Sequence, residues 1–112
     1  MASQVNLEQL SQQYTKLQSD LSDLVRARQK LETQFQENKI VKEEFDRLDD
    51  DAKIYKLVGP VLLPQDNSEA NLNVDKRIEF ITGDIARVEE KIQQHQKDLE
   101  NIQSILVNAQ TA

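Results

Sequence analysis

The sequence predicts a mainly α fold, a long antiparallel two-helix coiled coil with a β-hairpin at its centre. Two stretches of equal length, residues 7–48 and 68–109, carry apolar residues at alternating steps of three and four. Between them lies IYKLVGPVLLP (54–64), the one segment rich in β-forming residues and the one with a Gly-Pro pair. Two equal arms joined by so short a connection should fold back on each other. We therefore expect a single domain over residues 1–112, with helix 1 at about 7–48, the hairpin at about 53–64 and helix 2 at about 67–109.

Helix 1 is predicted from an apolar seam that contains Leu7, Leu10, Tyr14, Leu17, Leu21, Leu24, Leu31 and Phe35. Two polar residues, Arg28 and Asn38, occupy positions on the same seam. Buried polar seam residues often fix register or partner choice, and plain exposure where the helices separate is the alternative. Beyond Asn38 the pattern continues through Ile40, Val41, Phe45 and Leu48 only with an extra three-residue step, which predicts local overwinding.

The sequence also indicates where helix 1 ends and where helix 2 begins. Asp49, Asp50 and Asp51 oppose the macrodipole at a helix C-terminus and should end helix 1. A calcium loop is rejected, because the alternating oxygen ligands and the central Gly are missing. Residues 66–69 resemble a capping box with Asp66 or Asn67 as N-cap. A regular seam follows on helix 2: Val74, Ile78, Ile81, Ile85, Val88, Ile92, His95, Leu99, Ile102, Leu106 and Ala109.

Charge and composition exclude several classes of function. The net charge is −6, and both helical stretches are net acidic. A phosphate-neutralising patch is therefore missing, so we expect no nucleic acid and no anionic membrane as partner. The chain has no Cys, its first residues lack signal-peptide regions, and no run approaches the roughly 20 apolar residues that span a bilayer. These features predict a cytoplasmic protein.

Enzymatic chemistry is not expected. His95, the only histidine, lies on the seam with neither a nucleophile nor metal partners evident near it, which favours helix packing. No phosphate loop, nucleophile elbow or HExxH motif occurs. We therefore predict no catalytic residue, no cofactor and no metal site.

The hairpin has a pattern that a single chain cannot satisfy. An isolated two-stranded hairpin is marginal in water, and here apolar residues point to both faces, as in strands covered on both sides. Unpaired strand edges also recruit other strands. We infer that the hairpin joins hairpins of other subunits in a shared sheet or barrel. The predicted assembly residues are Ile54, Tyr55, Leu57, Val58, Gly59, Val61, Leu62 and Leu63.

Three segments resemble the β-class subunits of the prefoldin family: QKLETQFQENKIVKEEF (29–45), YKLVGPVLL (55–63) and VDKRIEFI (74–81), in the family's order and spacing. The resemblance implies a heterohexamer in which this chain joins two α-class and three further β-class subunits through a double β-barrel platform. It also implies capture of unfolded actin and tubulin chains by the coiled-coil tips, and their delivery to the cytosolic chaperonin without nucleotide.

The two ends of the chain are predicted to form the tip that binds such clients. These predicted tip residues are Val5, Leu7, Leu10, Tyr14, Ile102, Ile105, Leu106 and Val107. Ile105 and Val107 fall outside the seam, so the tip carries more apolar surface than two helices need to pair, a mark of interaction sites. Simple capping of the coil is the alternative role. A structural coiled-coil tether and a tRNA-binding helical arm are rival functions; the first needs no two-faced apolar hairpin, and the second needs a basic stripe.

Overall fold

The structure, a computed structural model, describes residues 4–49 and 51–111, with the side chains of Gln4, Val5 and Thr111 left aside. Helix α1 covers Gln4–Arg47, strand β1 Ile54–Val58, strand β2 Val61–Gln65 and helix α2 Asn67–Thr111. The predicted fold class of two long helices with a hairpin between them is confirmed. No helix in the described part of the chain combines the length and the hydropathy needed to cross a membrane.

Two compact units make up the chain. One combines Met1–Lys30 with Ala86–Ala112 and is called the terminal unit; the other, Leu31–Ile85, is called the hairpin unit. The single domain over residues 1–112 stays a prediction.

In the terminal unit, the start of α1 packs along the end of α2 through the predicted seam. The seam residues are half-buried: Leu7, Leu10, Tyr14, Leu17, Leu21 and Leu24 on α1, and Val88, Ile92, His95, Leu99, Ile102, Leu106 and Ala109 on α2. Arg28 is exposed, yet its Nε and Nη2 both donate to Oε1 of Glu89, at 3.1 and 2.7 Å. The pair therefore crosses from one helix to the other at the edge of the seam.

The hairpin unit holds the best-buried side chains that the structure describes, Ala70 and Val74, which are 3% and 4% exposed. Other residues along the two helices of this unit are half-buried: Leu31, Phe35, Asn38, Lys42 and Phe45 on α1, and Ile78, Ile81 and Ile85 on α2. Ala70 and Val74 line a groove together with Phe45 of α1 and Ile54 of β1.

The extra three-residue step predicted after Asn38 is wrong. The half-buried positions continue through Lys42 to Phe45 at the regular steps of four and three. Ile40, which is 55% exposed, lies off this seam together with Val41 and Leu48. Lysine can replace an apolar residue here because its aliphatic stem packs while its amine reaches polar partners.

The connections at the two helix ends are short. The N–H of Leu48 donates to the carbonyl of Phe45 at 3.1 Å as α1 ends, and the N–H of Ala52 donates to the carbonyl of Asp49 at 2.9 Å. Asp50, part of the predicted helix stop, lies outside the described residues. Asp66 takes the N-cap position of α2, because its carbonyl accepts the N–H of Ala70 at 2.9 Å.

Strands β1 and β2 pair antiparallel around the two-residue turn Gly59-Pro60. Gly59 has φ of +58°, and no non-glycine residue in the described chain has a positive φ. A positive φ at the first turn position alone is the requirement of a type II′ turn, whose twist matches that of the strands. Glycine meets this requirement without steric cost.

Candidate functional site

One face of the hairpin is an uninterrupted apolar surface. Directly opposed residues of paired strands share a face, and the register opposes Tyr55 to Pro64 and Leu57 to Leu62. Leu57 is 68% exposed and Leu62 61%. We call these four residues the ladder face. Among the described residues this face is open at Leu57 and Leu62, whereas Tyr55 at its base is 49% exposed and lines a groove with Phe45 and Val74.

The other face is mixed in character. It carries the pairs Lys56–Leu63 and Val58–Val61 near the turn and Ile54–Gln65 at the base. Val58 and Val61 are exposed, whereas Ile54 is half-buried. Ile54 lines a groove of about 220 Å³ whose walls also include Phe45 and Val74. The base of the hairpin therefore packs on the helices of its own unit, and the turn half projects from them.

A polar network anchors this arrangement. The amine of Lys42 contacts Oδ1 of Asp75 at 3.0 Å and Oδ1 of Asn71 at 3.3 Å. The amide of Asn71 donates to the carbonyl of Asn67 at 3.0 Å, and the amide of Asn67 donates to the carbonyl of Ala52 at 2.9 Å. The network thus links α1 to the first turns of α2, and α2 to the segment that leads into β1. It fixes where the hairpin leaves the helices.

The amine of Lys42 has three acceptors within 3.5 Å, since Oδ1 of Asp46 lies 3.5 Å away as a third partner. The hydrogen bond to Asp75 raises the pKa of Lys42 above its usual value, with partial burial acting in the opposite direction. The lysine is therefore held in its charged form by acidic neighbours on both helices.

The predicted tip residues lie in the terminal unit, and most of them are used within it. Leu7, Leu10, Tyr14, Ile102 and Leu106 are half-buried seam residues. Ile105 and Val107, which are 47% and 48% exposed, are the apolar residues of this set that point away from the seam. The side chain of Val5 lies outside the described residues. A client-binding role for this set stays a prediction.

Other exposed apolar side chains were missed by the sequence reasoning. Phe80 is 70% exposed and Leu72 52%, both on α2 and both off its seam. Val25 is 41% exposed and lines a shallow groove with Leu21 and Leu99 in the terminal unit. The sequence could have indicated that these three residues are exposed. Each lies between seam positions, on the side of its helix that faces away from the seam.

The three polar seam residues have local roles. Nδ1 of His95 lies 2.9 Å from the carbonyl of Lys91, one turn earlier. The amide of Asn38 donates to the carbonyl of Gln34 at 2.7 Å. Arg28 is exposed, as the alternative reading had it, and also forms the cross-helix pair with Glu89. Among the described residues, no group of His, Cys, Asp and Glu side chains could hold a metal ion.

Comparisons with known proteins agree on one family. A family model described as prefoldin subunit matches residues 8–112. Prefoldin subunit 6 of Saccharomyces cerevisiae is 52% identical over 101 residues, which cover 90% of this chain and 89% of that protein. Prefoldin subunit 6 of Homo sapiens is 41% identical over 99 residues, covering 88% and 77%. The solved prefoldin beta subunit from Thermococcus strain KS-1 shares the fold, with a TM-score of 0.85 at 22% identity, over 92% of this chain and 90% of that one.

Proposed function

Because the chain belongs to the prefoldin family, as its resemblance to the β-class subunits predicted, we propose that it is one subunit of a hexameric co-chaperone. The complex contains two α-class and three further β-class subunits beside this one. It captures unfolded polypeptides, actin and tubulin chains among them, and delivers them to the cytosolic chaperonin. It acts in the cytoplasm without nucleotide and has no enzymatic activity of its own.

The exposed ladder face is the observation that carries the assembly part of the proposal. A two-stranded hairpin is marginal in water, and burying a leucine side chain contributes roughly 1.5–3 kcal/mol. Leu57 and Leu62 lie opposite each other with most of their surface in solvent. Strands from neighbouring subunits would bury both and pair the free edges. A coiled-coil tether would leave this surface without a use.

Client capture is supported by apolar surface that is not packed between the two helices. Ile105 and Val107 are about half exposed on the last turns of α2. Polar residues surround Val107, among them Gln103, Ser104 and Asn108. Such small apolar patches bind weakly one at a time. Six arms on one platform would combine their contacts through effective concentration.

Reconstitution tests the proposal directly. We would co-express the chain with α-class and β-class prefoldin subunits and determine the mass of the product by native mass spectrometry. The purified complex would then be mixed with chemically unfolded actin, and light scattering would follow aggregation with and without ATP. We expect a six-subunit complex containing one copy of this chain, suppression of aggregation regardless of ATP, and transfer of the client to added chaperonin.

Two results would contradict the proposal at different points. Failure of the chain to enter any complex with other prefoldin subunits would contradict the assembly role. A six-subunit complex that leaves actin aggregation unchanged would contradict client capture alone.

A further inference from the structure

The groove between the base of the hairpin and the two helices differs in charge from the rest of the chain. We call it the base groove. Two of its lining residues are basic and none is acidic, in a chain with 20 acidic and 14 basic residues. The base groove is therefore a local positive site on an acidic protein. Its lining consists of Val41, Phe45, Ile54, Tyr55, Lys56, Gln65, Ala70, Asn73, Val74 and Arg77.

The two cations of the base groove, Lys56 and Arg77, have no acidic neighbour that would neutralise them. Both are exposed, and within residues 4–49 and 51–111 neither forms an ion pair. Lys56 lies opposite Leu63 in the strand pairing. The residues one helical turn to either side of Arg77 also lack a carboxylate; they are Asn73, Val74, Phe80 and Ile81. Both charges are therefore open to a carboxylate from another molecule.

The size and the lining of the base groove favour a peptide as its ligand. Pockets for small molecules and cofactors typically measure about 300–1,000 Å³, whereas this groove measures about 220 Å³. It can accept an apolar side chain, and the two cations can hold carboxylates beside that side chain. A nucleic-acid backbone would use the cations alone and leave the apolar walls unoccupied.

Phe80 extends this surface along α2. Asn73, Arg77 and Phe80 follow each other at steps of four and three, so they lie on one face of the helix. Asn73 and Arg77 line the base groove, and Phe80, which is 70% exposed, lies one turn further on. Aromatic residues and arginine are enriched in protein interfaces. Phe80 thus offers a second apolar contact to a peptide that occupies the groove.

We propose that the base groove docks an acidic peptide segment of a protein outside the six subunits. One apolar side chain of the segment fills the groove, its carboxylates bind Lys56 and Arg77, and a second apolar side chain covers Phe80. The placement outside the six subunits rests on the proposed function, in which the ladder face forms the subunit contact. Ile54, Lys56 and Gln65 belong to the opposite face of the hairpin, so burial of the ladder face leaves their side chains accessible.

Peptide binding to the isolated full-length chain tests the groove. The probe is a fluorescently labelled peptide of alternating Asp and Leu residues, and fluorescence anisotropy measures its affinity. Two control peptides carry Asn in place of Asp, or Ser in place of Leu. We expect saturable binding of the Asp–Leu peptide that weakens as salt is added. Both control peptides should bind about tenfold less tightly or worse, because each lacks one of the two kinds of contact.

Variants of the chain locate the binding site. Lys56→Gln and Arg77→Gln should each weaken binding about tenfold, because each removes a charge-assisted hydrogen bond. Phe80→Ser should weaken it about threefold through lost apolar contact. Lys53→Gln is the control for charge, since Lys53 lines a different pocket. Leu72→Ser is the control for Phe80→Ser, since Leu72 is an exposed apolar residue of α2 that does not line the groove. Both controls should bind as wild type does, and circular dichroism of each variant would check that the helices form.

The same titration on the reconstituted six-subunit complex separates this inference from the proposed function. We expect the complex to bind the Asp–Leu peptide as tightly as the isolated chain does. Binding to the isolated chain alone would place the groove in a subunit contact and overturn the inference, while the proposed function would stand. Equal losses in Lys53→Gln and Lys56→Gln, or tighter binding of a single-stranded oligonucleotide than of the peptide, would also overturn it. Failure of the chain to assemble would contradict the proposed function, and peptide binding by the isolated chain would still support the groove.

Discussion

The hairpin and the paired ends of the chain both carry apolar residues, but they use them differently. In the terminal unit the leucines and isoleucines of the predicted tip are mostly half-buried against the other helix. On the ladder face, Leu57 and Leu62 are largely exposed although they contact each other across the strands. An apolar residue in a two-helix seam already has a partner within its own chain. Leu57 and Leu62 stay mostly in solvent even though they lie opposite each other, which supports the proposed role of the hairpin between chains.

The largest effect is expected when charge is placed on the ladder face. The double variant Leu57→Asp, Leu62→Asp loses the burial of two leucines, about 4 kcal/mol in all, and introduces carboxylates into the proposed subunit contact. Incorporation into the complex should fall by about a thousandfold, measured by competition with labelled wild-type chain. The helices should be unaffected, because neither residue packs on them.

Ile40→Asp is the matched control for this double variant. Ile40 is also an exposed apolar residue of the hairpin unit, at 55%, but it belongs to α1 and not to either strand. Its substitution should leave incorporation unchanged. A comparable loss in Ile40→Asp would mean that assembly depends on apolar surface in general and not on the hairpin.

The next effect concerns the buried residues of α2 on which the hairpin packs. Val74→Ala removes two methyl groups from a side chain that is 4% exposed, and should lower the free energy of unfolding by about 2 kcal/mol. Urea denaturation followed by circular dichroism measures it. Leu72→Ala, two residues away and 52% exposed, should change the free energy by less than about 0.5 kcal/mol. Equal losses of stability in Val74→Ala and Leu72→Ala would show that Val74 does not belong to a packed core.

Sequence reasoning succeeded where a single periodic pattern dominates. The alternating steps of three and four located both helices, and Gly59-Pro60 located the turn, because seam burial and a positive φ impose strict residue preferences. It failed at Lys42, where the search for apolar residues shifted the seam to Ile40 and Val41. Lysine fills a seam position when its stem packs and its amine reaches acceptors or water. Those acceptors, Asn71 and Asp75, come from the other helix and are invisible to a local pattern.

A smaller effect is expected at the predicted tip. Ile105→Ser with Val107→Ser removes the exposed apolar residues there and should weaken suppression of actin aggregation by about threefold, since one of six arms is altered. Assembly and the unfolding free energy should stay close to wild type. Phe80→Ser is the control, because it removes a still more exposed residue, at 70%, from the hairpin unit. Loss of activity in Phe80→Ser but not in the double variant would contradict the prediction that clients bind at the chain ends.

The smallest effect distinguishes the two ion pairs that cross between the helices, one in each unit. The hydrogen bond to Asp75 raises the pKa of Lys42 above its usual value of 10.5. The contribution of this contact to stability is therefore fully present below pH 10.5 and is lost as the pH rises through the higher pKa of the folded state. Arg28 forms the corresponding contact with Glu89 in the terminal unit, with Nη2 2.7 Å from Oε1. Urea denaturation between pH 8 and about 11.5 should show wild type and Lys42→Met converging in stability at the alkaline end. The difference between wild type and Arg28→Met should remain constant, because both of these chains contain Lys42 and lose its contribution alike. Parallel behaviour of the two variants would mean that the charge of Lys42 does not hold α1 to α2.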